Sequence, residues 1–265
     1  MQPLMKDVWF RISSAARYLL TARHRKGFGV HSPFVFHTLN EVVFLRENYY
    51  CYSEIERLRR MLLNDPTMVS LVGCGTVSAR TATVGQIARQ SGEPARYAQL
   101  LFRLALSNKS KTVLEFGTSL GISSLYLSAV SSDTKVFTFE FEKELVSLAK
   151  KNFEKLHRYN INIIEGEIDE NLPKILDGVE QLDFVFFDAN HTCEATLRYF
   201  EQCLKKAHKR SIFVFDDIYW SADMNQAWKN ITSRPEVGVS MDLYRMGIVW
   251  FDPEIPKRNY IVAYH

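Results

Sequence analysis

Thr112-Val-Leu-Glu-Phe-Gly-Thr-Ser-Leu-Gly121 is the stretch whose reading decides the fold. Thr112 to Gly117 reads as a strand, and a helical pattern follows over about 121–130. The same alternation then repeats down the chain. Lys135-Val-Phe-Thr-Phe-Glu140 reads as a strand, with a helix over 143–157. Ile161-Asn-Ile-Ile-Glu165, Leu182-Asp-Phe-Val-Phe-Phe-Asp188 and Ser211-Ile-Phe-Val-Phe-Asp216 are three more strands, each followed by a helical pattern. Repeated strand–helix units imply a parallel sheet covered on both faces. The tail breaks the rhythm. Val239 to Tyr244, Gly247 to Phe251 and Tyr260 to Tyr264 lie too close together for crossover helices, so antiparallel pairing is expected there.

The fold class expected is therefore α/β. It is a Rossmann-like, mostly parallel seven-stranded sheet with antiparallel C-terminal strands, plus an N-terminal helical extension. Up to about residue 108 the pattern is mainly helical, and the expected division is an extension over 1–93 and a main domain over 94–265. Leu4, Val8, Ile12, Ala15, Ala16 and Leu19 recur at helical spacing. Ser32-Pro33 suits a helix start, the hydroxyl capping and Pro taking the first helical position. Ser53-Glu-Ile-Glu56 has the form of a capping box opening a third helix. The stripes Val8, Ile12, Leu19 and Phe36, Leu39, Val43 need a surface to bury against, either as a cap over the substrate side or as a homodimer contact.

The chain has 265 residues, 46% of them apolar, enough for one large domain with or without an appendage. No run of eighteen uncharged apolar residues occurs, so no membrane span is expected. Lys6, Asp7 and Arg11 interrupt the first apolar stretch, which argues against a signal peptide. Cys51, Cys74, Cys193 and Cys203 form no C-x-x-C pair and no zinc spacing, and read as reduced thiols of a cytoplasmic protein. The net charge of +3 is unevenly spread. Residues 1–110 carry fifteen Lys/Arg against seven Asp/Glu, and the remainder eighteen against twenty-three. A basic front half suits an anionic partner such as nucleic acid or lipid, its own acidic half, or plain solvent, with the last two preferred.

In an open parallel sheet the ligand lies at the carboxyl ends of the strands, so the residues ending each strand carry the information. Glu115-x-Gly-x-x-x-Gly121 stands at a strand-to-helix junction, where glycines permit a tight turn and the helix N-terminus favours a carboxylate or phosphate. It is not the dinucleotide fingerprint, because Ser119 stands where a glycine would be needed. Glu140, ending the second strand, suits a pair of ribose hydroxyls. Val72-Gly-Cys-Gly-Thr-Val77 imitates a nucleotide loop but lacks an acidic strand end about twenty residues later.

From Pro94 to Phe251 the chain resembles the class I S-adenosylmethionine-dependent methyltransferases. Within them it resembles the catechol O-methyltransferase-like group acting on small molecules. Pro94-Ala-Arg-Tyr-Ala-Gln-Leu-Leu resembles the helix before that group's first strand, and Glu115-x-Gly-Thr-x-x-Gly-x-Ser123 its glycine motif. Glu140 sits where the ribose-binding acid sits, and Gly166-Glu167-Ile168 resembles the adenine-binding segment. Asp188-Ala-Asn-His191 resembles its Asp-x-x-Lys motif, and Asp216-Asp217 its Asp-Asn pair. The resemblance covers about 160 residues and says nothing of the first ninety.

What the resemblance implies is O-methylation of a small hydroxylated substrate with S-adenosyl-L-methionine as cofactor. The cofactor would be bound by Glu115, Gly117, Thr118, Ser119, Gly121, Ser123, Glu140, Phe141, Glu167, Ile168 and Asp188. It also implies Mg²⁺ or another divalent cation on Asp188, Asp216 and Asp217, a carboxylate set suited to a hard cation. Asp217 departs from the family's Asn and His191 from its Lys. His191 would be the general base with Asp188 beside it, since a neutral imidazole is available near neutral pH. Tyr219 and Trp220 are placed to line the pocket, while Trp228, Tyr244 and Trp250 read as core. The sequence has no Asn/Asp-Pro-Pro-Tyr loop for amine methylation and no Pro-Cys nucleophile for cytosine, which favours oxygen. Two other readings stand beside this one. One is an RNA methyltransferase using the basic front half, and the other a non-catalytic cofactor-binding protein that has lost the family's Lys.

Overall fold

The computed structural model describes residues 2–24, 27–73 and 79–264. The chain divides into two compact units, one of residues 46–180 and one of 1–45 with 181–265. The units part at 45/46 and 180/181 rather than at the expected 93/94. Residues 46–93 belong with residues 94–180 because Cys51, Tyr52, Ile55 and Leu58 share one buried cluster with Phe102, Leu125 and Tyr126.

The 46–180 unit opens with α3 (Tyr50–Leu63), following α1 (Gln2–Thr21) and α2 (Pro33–Thr38) of the other unit. An antiparallel hairpin of β1 (Met68–Leu71) and β2 (Arg80–Thr83) leads into α4 (Val84–Gln90) and α5 (Ala95–Ser107). Then the strand–helix units run as expected: β3 (Thr112–Phe116), α6 (Ile122–Ser128), β4 (Lys135–Glu140), α7 (Lys143–Lys155), β5 (Ile161–Glu165) and α8 (Ile168–Gly178). β3, β4 and β5 pair in parallel, with Phe116 opposite Phe139 and Glu140 opposite Glu165. The Phe116 and Phe139 rings stack at 5.4 Å.

The capping box expected at Ser53 does not form. α3 begins three residues earlier, and the Ser53 hydroxyl donates back to the Tyr50 carbonyl. The buried side chains of Cys51 and Tyr52 draw an extra turn into the helix, and packing of that turn outweighs a cap worth about 1 kcal/mol. A capping box does form at α4, where the Thr83 hydroxyl and Gln86 amide satisfy each other's backbone N–H groups.

The other unit begins with α1 (Gln2–Thr21) and α2 (Pro33–Thr38), the latter capped by Ser32 and continued by a π-helical segment over Leu39–Val43. It resumes with β6 (Leu182–Phe187), α9 (Cys193–Leu204), β7 (Ala207–Phe215), α10 (Ala222–Ser233), β8 (Val239–Asp242), β9 (Gly247–Trp250) and β10 (Arg258–Ile261). The strand order is β10-β8-β9-β7-β6. β6 is buried along its whole length, as an apolar strand of a covered parallel sheet must be.

Two expectations about the sheet need correction. Among the described residues the units hold five and three strands apart from the hairpin, eight where seven were expected, and β10 is the addition. Nor is the tail wholly antiparallel. β7–β9 and β8–β9 are, but β10 pairs with β8 in parallel. β10 does run opposite to β9, its neighbour in sequence. The connecting loop steps across β8 to the far edge, so the strand it meets is the one pointing its own way.

The N-terminal segment is tied to these edge strands. Arg23 bridges to Val262 in parallel, through Arg23 N–H to Ile261 and Ala263 N–H to Arg23. The Tyr18 hydroxyl, buried, donates to the Val262 carbonyl and accepts from Tyr264 N–H at 3.2 Å. Of the expected apolar stripes, Leu39 and Val43 are buried, whereas Val8, Ile12, Leu19 and Phe36 are exposed. Replacing Tyr18 by Phe removes both hydrogen bonds at a buried position. It should lower stability by about 1–3 kcal/mol in urea unfolding, without loss of α-helical content.

Candidate functional site

In the 46–180 unit the site is organised by the carboxyl end of β4. The Phe139 carbonyl accepts from Gly117 N–H at 3.2 Å and Thr118 N–H at 2.9 Å, fixing the turn that follows β3. The Thr118 hydroxyl meets that of Thr138 at 2.7 Å. Gly117, Ser119 and Gly121 all take positive φ, so the chain doubles back sharply before α6. Gly121 is confined further, because a β-carbon there would collide with the Phe153 ring.

The Glu140 carboxylate joins this turn to α7. One oxygen accepts from Ser119 N–H at 2.7 Å and the other from Glu142 N–H at 2.9 Å. Burial pushes its pKa up, and the backbone N–H groups of Glu142, Ser119 and Phe141 oppose that without cancelling it. The Glu140 carbonyl accepts from Gly166 N–H at 2.9 Å, which brings the segment of Gly166, Glu167 and Ile168 to the same strand end. Glu167 is the N-cap residue of α8 and Ile168 its first helical residue. Thus Gly117, Thr118, Ser119, Gly121, Glu140, Phe141, Glu167 and Ile168 are gathered along one rim.

Glu115 is different in kind. It is fully buried, accepts from the Ser124 hydroxyl on Oε2, and burial raises its pKa despite the nearby Ser123, Ser124 and Thr138 hydroxyls. Its Oε1 receives no hydrogen bond. A buried carboxyl in that state is better kept protonated than charged.

Two contributors to this rim were missed in the sequence. Glu142 accepts from Val72 N–H at 2.8 Å and Gly73 N–H at 2.7 Å, holding the start of the loop after β1 to α7. The Ser91 hydroxyl meets that of Ser119 at 2.7 Å. Both contacts join residues far apart in sequence, so no local pattern announces them. The rest of the Val72–Val77 loop, with Cys74, lies outside the described residues.

In the other unit the ends of β6 and β7 bring together a second group. Asp216 N–H donates to the Phe187 carbonyl, and Asp188 and Asp216 offer carboxylate oxygens within 4.8 Å of each other. Asp216 is almost wholly buried, with Arg245 Nη2 3.4 Å from its Oδ2. His191 Nε2 stands 3.6 Å from Asp188 Oδ1. Asn190, His191 and Asp217 take positive φ, which in residues other than glycine marks a backbone held by its surroundings. Asn190 Nδ2 donates to the Tyr199 hydroxyl at 2.8 Å, anchoring the turn that presents His191.

Burial lowers the His191 pKa, Asp217 pulls it up, and Arg245 adds to the lowering. His191 is therefore neutral at pH 7 and has a free lone pair to offer. Of the aromatic residues, Trp228 and Trp250 are core as expected, and Trp220 is half exposed under the Arg11 guanidinium at 4.4 Å. Tyr219 is committed elsewhere. Its hydroxyl donates to Asp242 at 2.7 Å and its ring stacks on Tyr244 at 5.2 Å.

The geometry has counterparts among known proteins. Residues 114–218 match the family model of the methyltransferase domain. That stretch is similar to a methyltransferase domain.

Two curated relatives extend the match. One, from Mycobacterium avium (strain 104) and named "Putative O-methyltransferase", is 34% identical over 94 residues, which is 34% of this chain and 41% of that protein. The other, O-methyltransferase imqG of Aspergillus flavus, is 25% identical over 41% of this chain and 45% of its own length. The chain thus spans less than half the length of the curated relatives it matches.

Solved structures share the fold over more of the chain. The O-methyltransferase TomG from Streptomyces achromogenes, in complex with SAM, has a TM-score of 0.57 at 17% identity, covering 82% of this chain and 94% of its own. The O-methyltransferase from Bacillus cereus, in complex with SAH, has a TM-score of 0.57 at 18% identity, covering 78% and 93%.

The charge arrangement at His191 can be checked directly. In metal-free protein the imidazole should titrate below 6.5, followed through its ring protons by NMR. Arg245→Leu should move the midpoint upward, because it removes a cation that disfavours the protonated ring. A midpoint that stays put would take Arg245 out of the account.

Proposed function

We propose that this protein is an S-adenosylmethionine-dependent methyltransferase that methylates a hydroxyl oxygen of a small substrate. The observation that carries this reading is the Glu140 carboxylate, bound to the glycine-containing turn through Ser119 N–H and standing beside the Gly166–Ile168 segment. An acid at that point suits two ribose hydroxyls, a backbone turn with positive φ lets the cofactor approach closely, and α6 begins at the turn. Names of the curated relatives and the lack of amine- or cytosine-methylating motifs both favour oxygen as the acceptor atom.

The chemistry is an in-line displacement. S-adenosylmethionine bound at this rim would supply an electrophilic sulfonium methyl for the acceptor oxygen, the electron pair of the broken carbon–sulfur bond staying on sulfur. The hydroxyl proton passes to His191 Nε2, kept neutral by burial and by Arg245, with Asp188 3.6 Å away to stabilise the imidazolium. Holding donor and acceptor in near-attack geometry supplies much of the rate.

The carboxylates fit a divalent cation. Oxygens of Asp188 and Asp216 lie within 4.8 Å of each other and would hold such an ion between them. Asp217, next in sequence, is the third candidate ligand. Bound there, Mg²⁺ would lower the pKa of the acceptor hydroxyl. Arg245 is the built-in competitor for Asp216.

Glu140→Ala should weaken S-adenosylmethionine binding by about 1–3 kcal/mol in calorimetry, the scale of lost charge-assisted hydrogen bonds. Unchanged affinity would move the cofactor elsewhere. Turnover against a panel of phenols and alcohols separates the enzyme from a cofactor-binding protein without activity. Within that panel, chelator should abolish turnover and Mg²⁺ restore it, while His191→Ala should cost roughly 10²–10⁴-fold. Full activity in chelator would leave the proton to His191 alone. Near-normal turnover of His191→Ala would remove it as the base.

A further inference from the structure

α1 is mounted with its apolar stripe facing outward. Its inner face is the more polar one, with Ser14 and Tyr18 buried and Arg11 half-buried. That face is fixed to the rest of its unit. Tyr18 bonds to the Val262–Tyr264 stretch and packs against Tyr244 at 5.1 Å, the Tyr244 hydroxyl donates to the Arg11 carbonyl, and Arg11 lies over Trp220. The opposite face shows Val8 at 44% exposed, Trp9 at 70%, Ile12 at 56%, Leu19 at 66% and Leu20 at 83%. At about 100° per residue these five and Ala16 fall within an arc of about 120°. No polar residue with a described side chain interrupts that arc.

Charge narrows the choice of partner. Residues 1–26 contain Lys6, Arg11, Arg17, Arg23, Arg25 and Lys26 against Asp7 alone. Arg17 and Arg23 are exposed, Arg17 flanking the apolar arc. Two copies meeting through this face would bring two such cationic segments together, whereas an anionic surface neutralises them. A broad apolar arc with a basic border is the form of a helix that lies in a membrane interface. α1 does not span a bilayer, and among the described residues no helix is long and apolar enough to do so.

We propose that α1 seats the protein on an anionic lipid surface. Trp9, Ile12, Leu19 and Leu20 enter the boundary between headgroups and acyl chains, and Arg17 and Arg23 stay at the level of the lipid phosphates. The face lies on the same unit as Asp188, His191 and Asp216 and is braced through Trp220, four residues after Asp216. The acceptor-side residues therefore travel with the membrane-facing helix.

The test is flotation of the full chain with vesicles of phosphatidylcholine alone or mixed with phosphatidylglycerol. The expected result is binding at least about tenfold stronger to the mixed vesicles and weakened by salt. Trp9→Ser/Leu19→Ser/Leu20→Ser should lose about tenfold or more while keeping its circular dichroism and its affinity for S-adenosylmethionine. In the unmodified chain, brominated lipid should quench tryptophan fluorescence, and Trp9→Phe should remove most of that quenching. Equal binding to both vesicles, flotation of the triple variant like the parent, or no quenching would overturn the proposal. So would a lipid-free dimer in sedimentation equilibrium that the triple variant dissolves, since a second copy would then be what covers the face.

Discussion

The hydrogen bonds received at the carboxyl end of β4 hold three separate pieces of chain in one place. Phe139 takes the two N–H groups of the turn after β3, the Glu140 carbonyl takes Gly166, and the Glu140 carboxylate takes Ser119 and Glu142. Each bond is worth only about 1 kcal/mol net, but together they fix the backbone of a rim that would otherwise be three loops. The cost is visible in Glu140 itself. Its pKa is raised, so desolvation outweighs the backbone bonds it receives. A ligand bringing hydroxyl donors to that carboxylate would repay part of this, which is why an acid is useful here despite its burial.

The other unit solves a harsher problem, two carboxylates at short range with one of them buried. Repulsion between such groups must be met by a proton or a cation. Arg245 meets it at Asp216, while His191 stands neutral beside Asp188. The same guanidinium that balances Asp216 discourages protonation of His191, so one residue maintains both the acid pair and the free base. In the resembling family a lysine fills the position of His191, and it would need a large depression of its pKa to do what an imidazole does with a small one.

α1 shows that amphipathic patterning and burial are separate matters. The stripe of Val8, Ile12 and Leu19 is legible at helical spacing, and α1 is indeed a helix. The direction in which that stripe points was not legible. Tyr18 decided it, because its buried hydroxyl both donates to Val262 and accepts from Tyr264, and turning the apolar side inward would break both bonds.

The strand–helix alternation from Thr112 onward was determined by the sequence alone, because period and turn residues are local properties of the chain. So were the ends of β3, β4, β6 and β7, and with them the places in the chain, though not the roles, of Ser119, Glu140, Asp188, His191, Asp216 and Asp217, since a strand end is marked by where apolar residues stop. The failures were non-local. Ser53 offered a good cap and lost to the packing of Cys51 and Tyr52. β10 passed β9 to pair with β8, a choice made by where an edge was open. Glu142, Ser91 and Arg245 entered the two groups through contacts made across the fold. What tertiary structure decided was which surfaces were already occupied and which buried polar atoms still lacked a partner, and neither is written in any short stretch of residues.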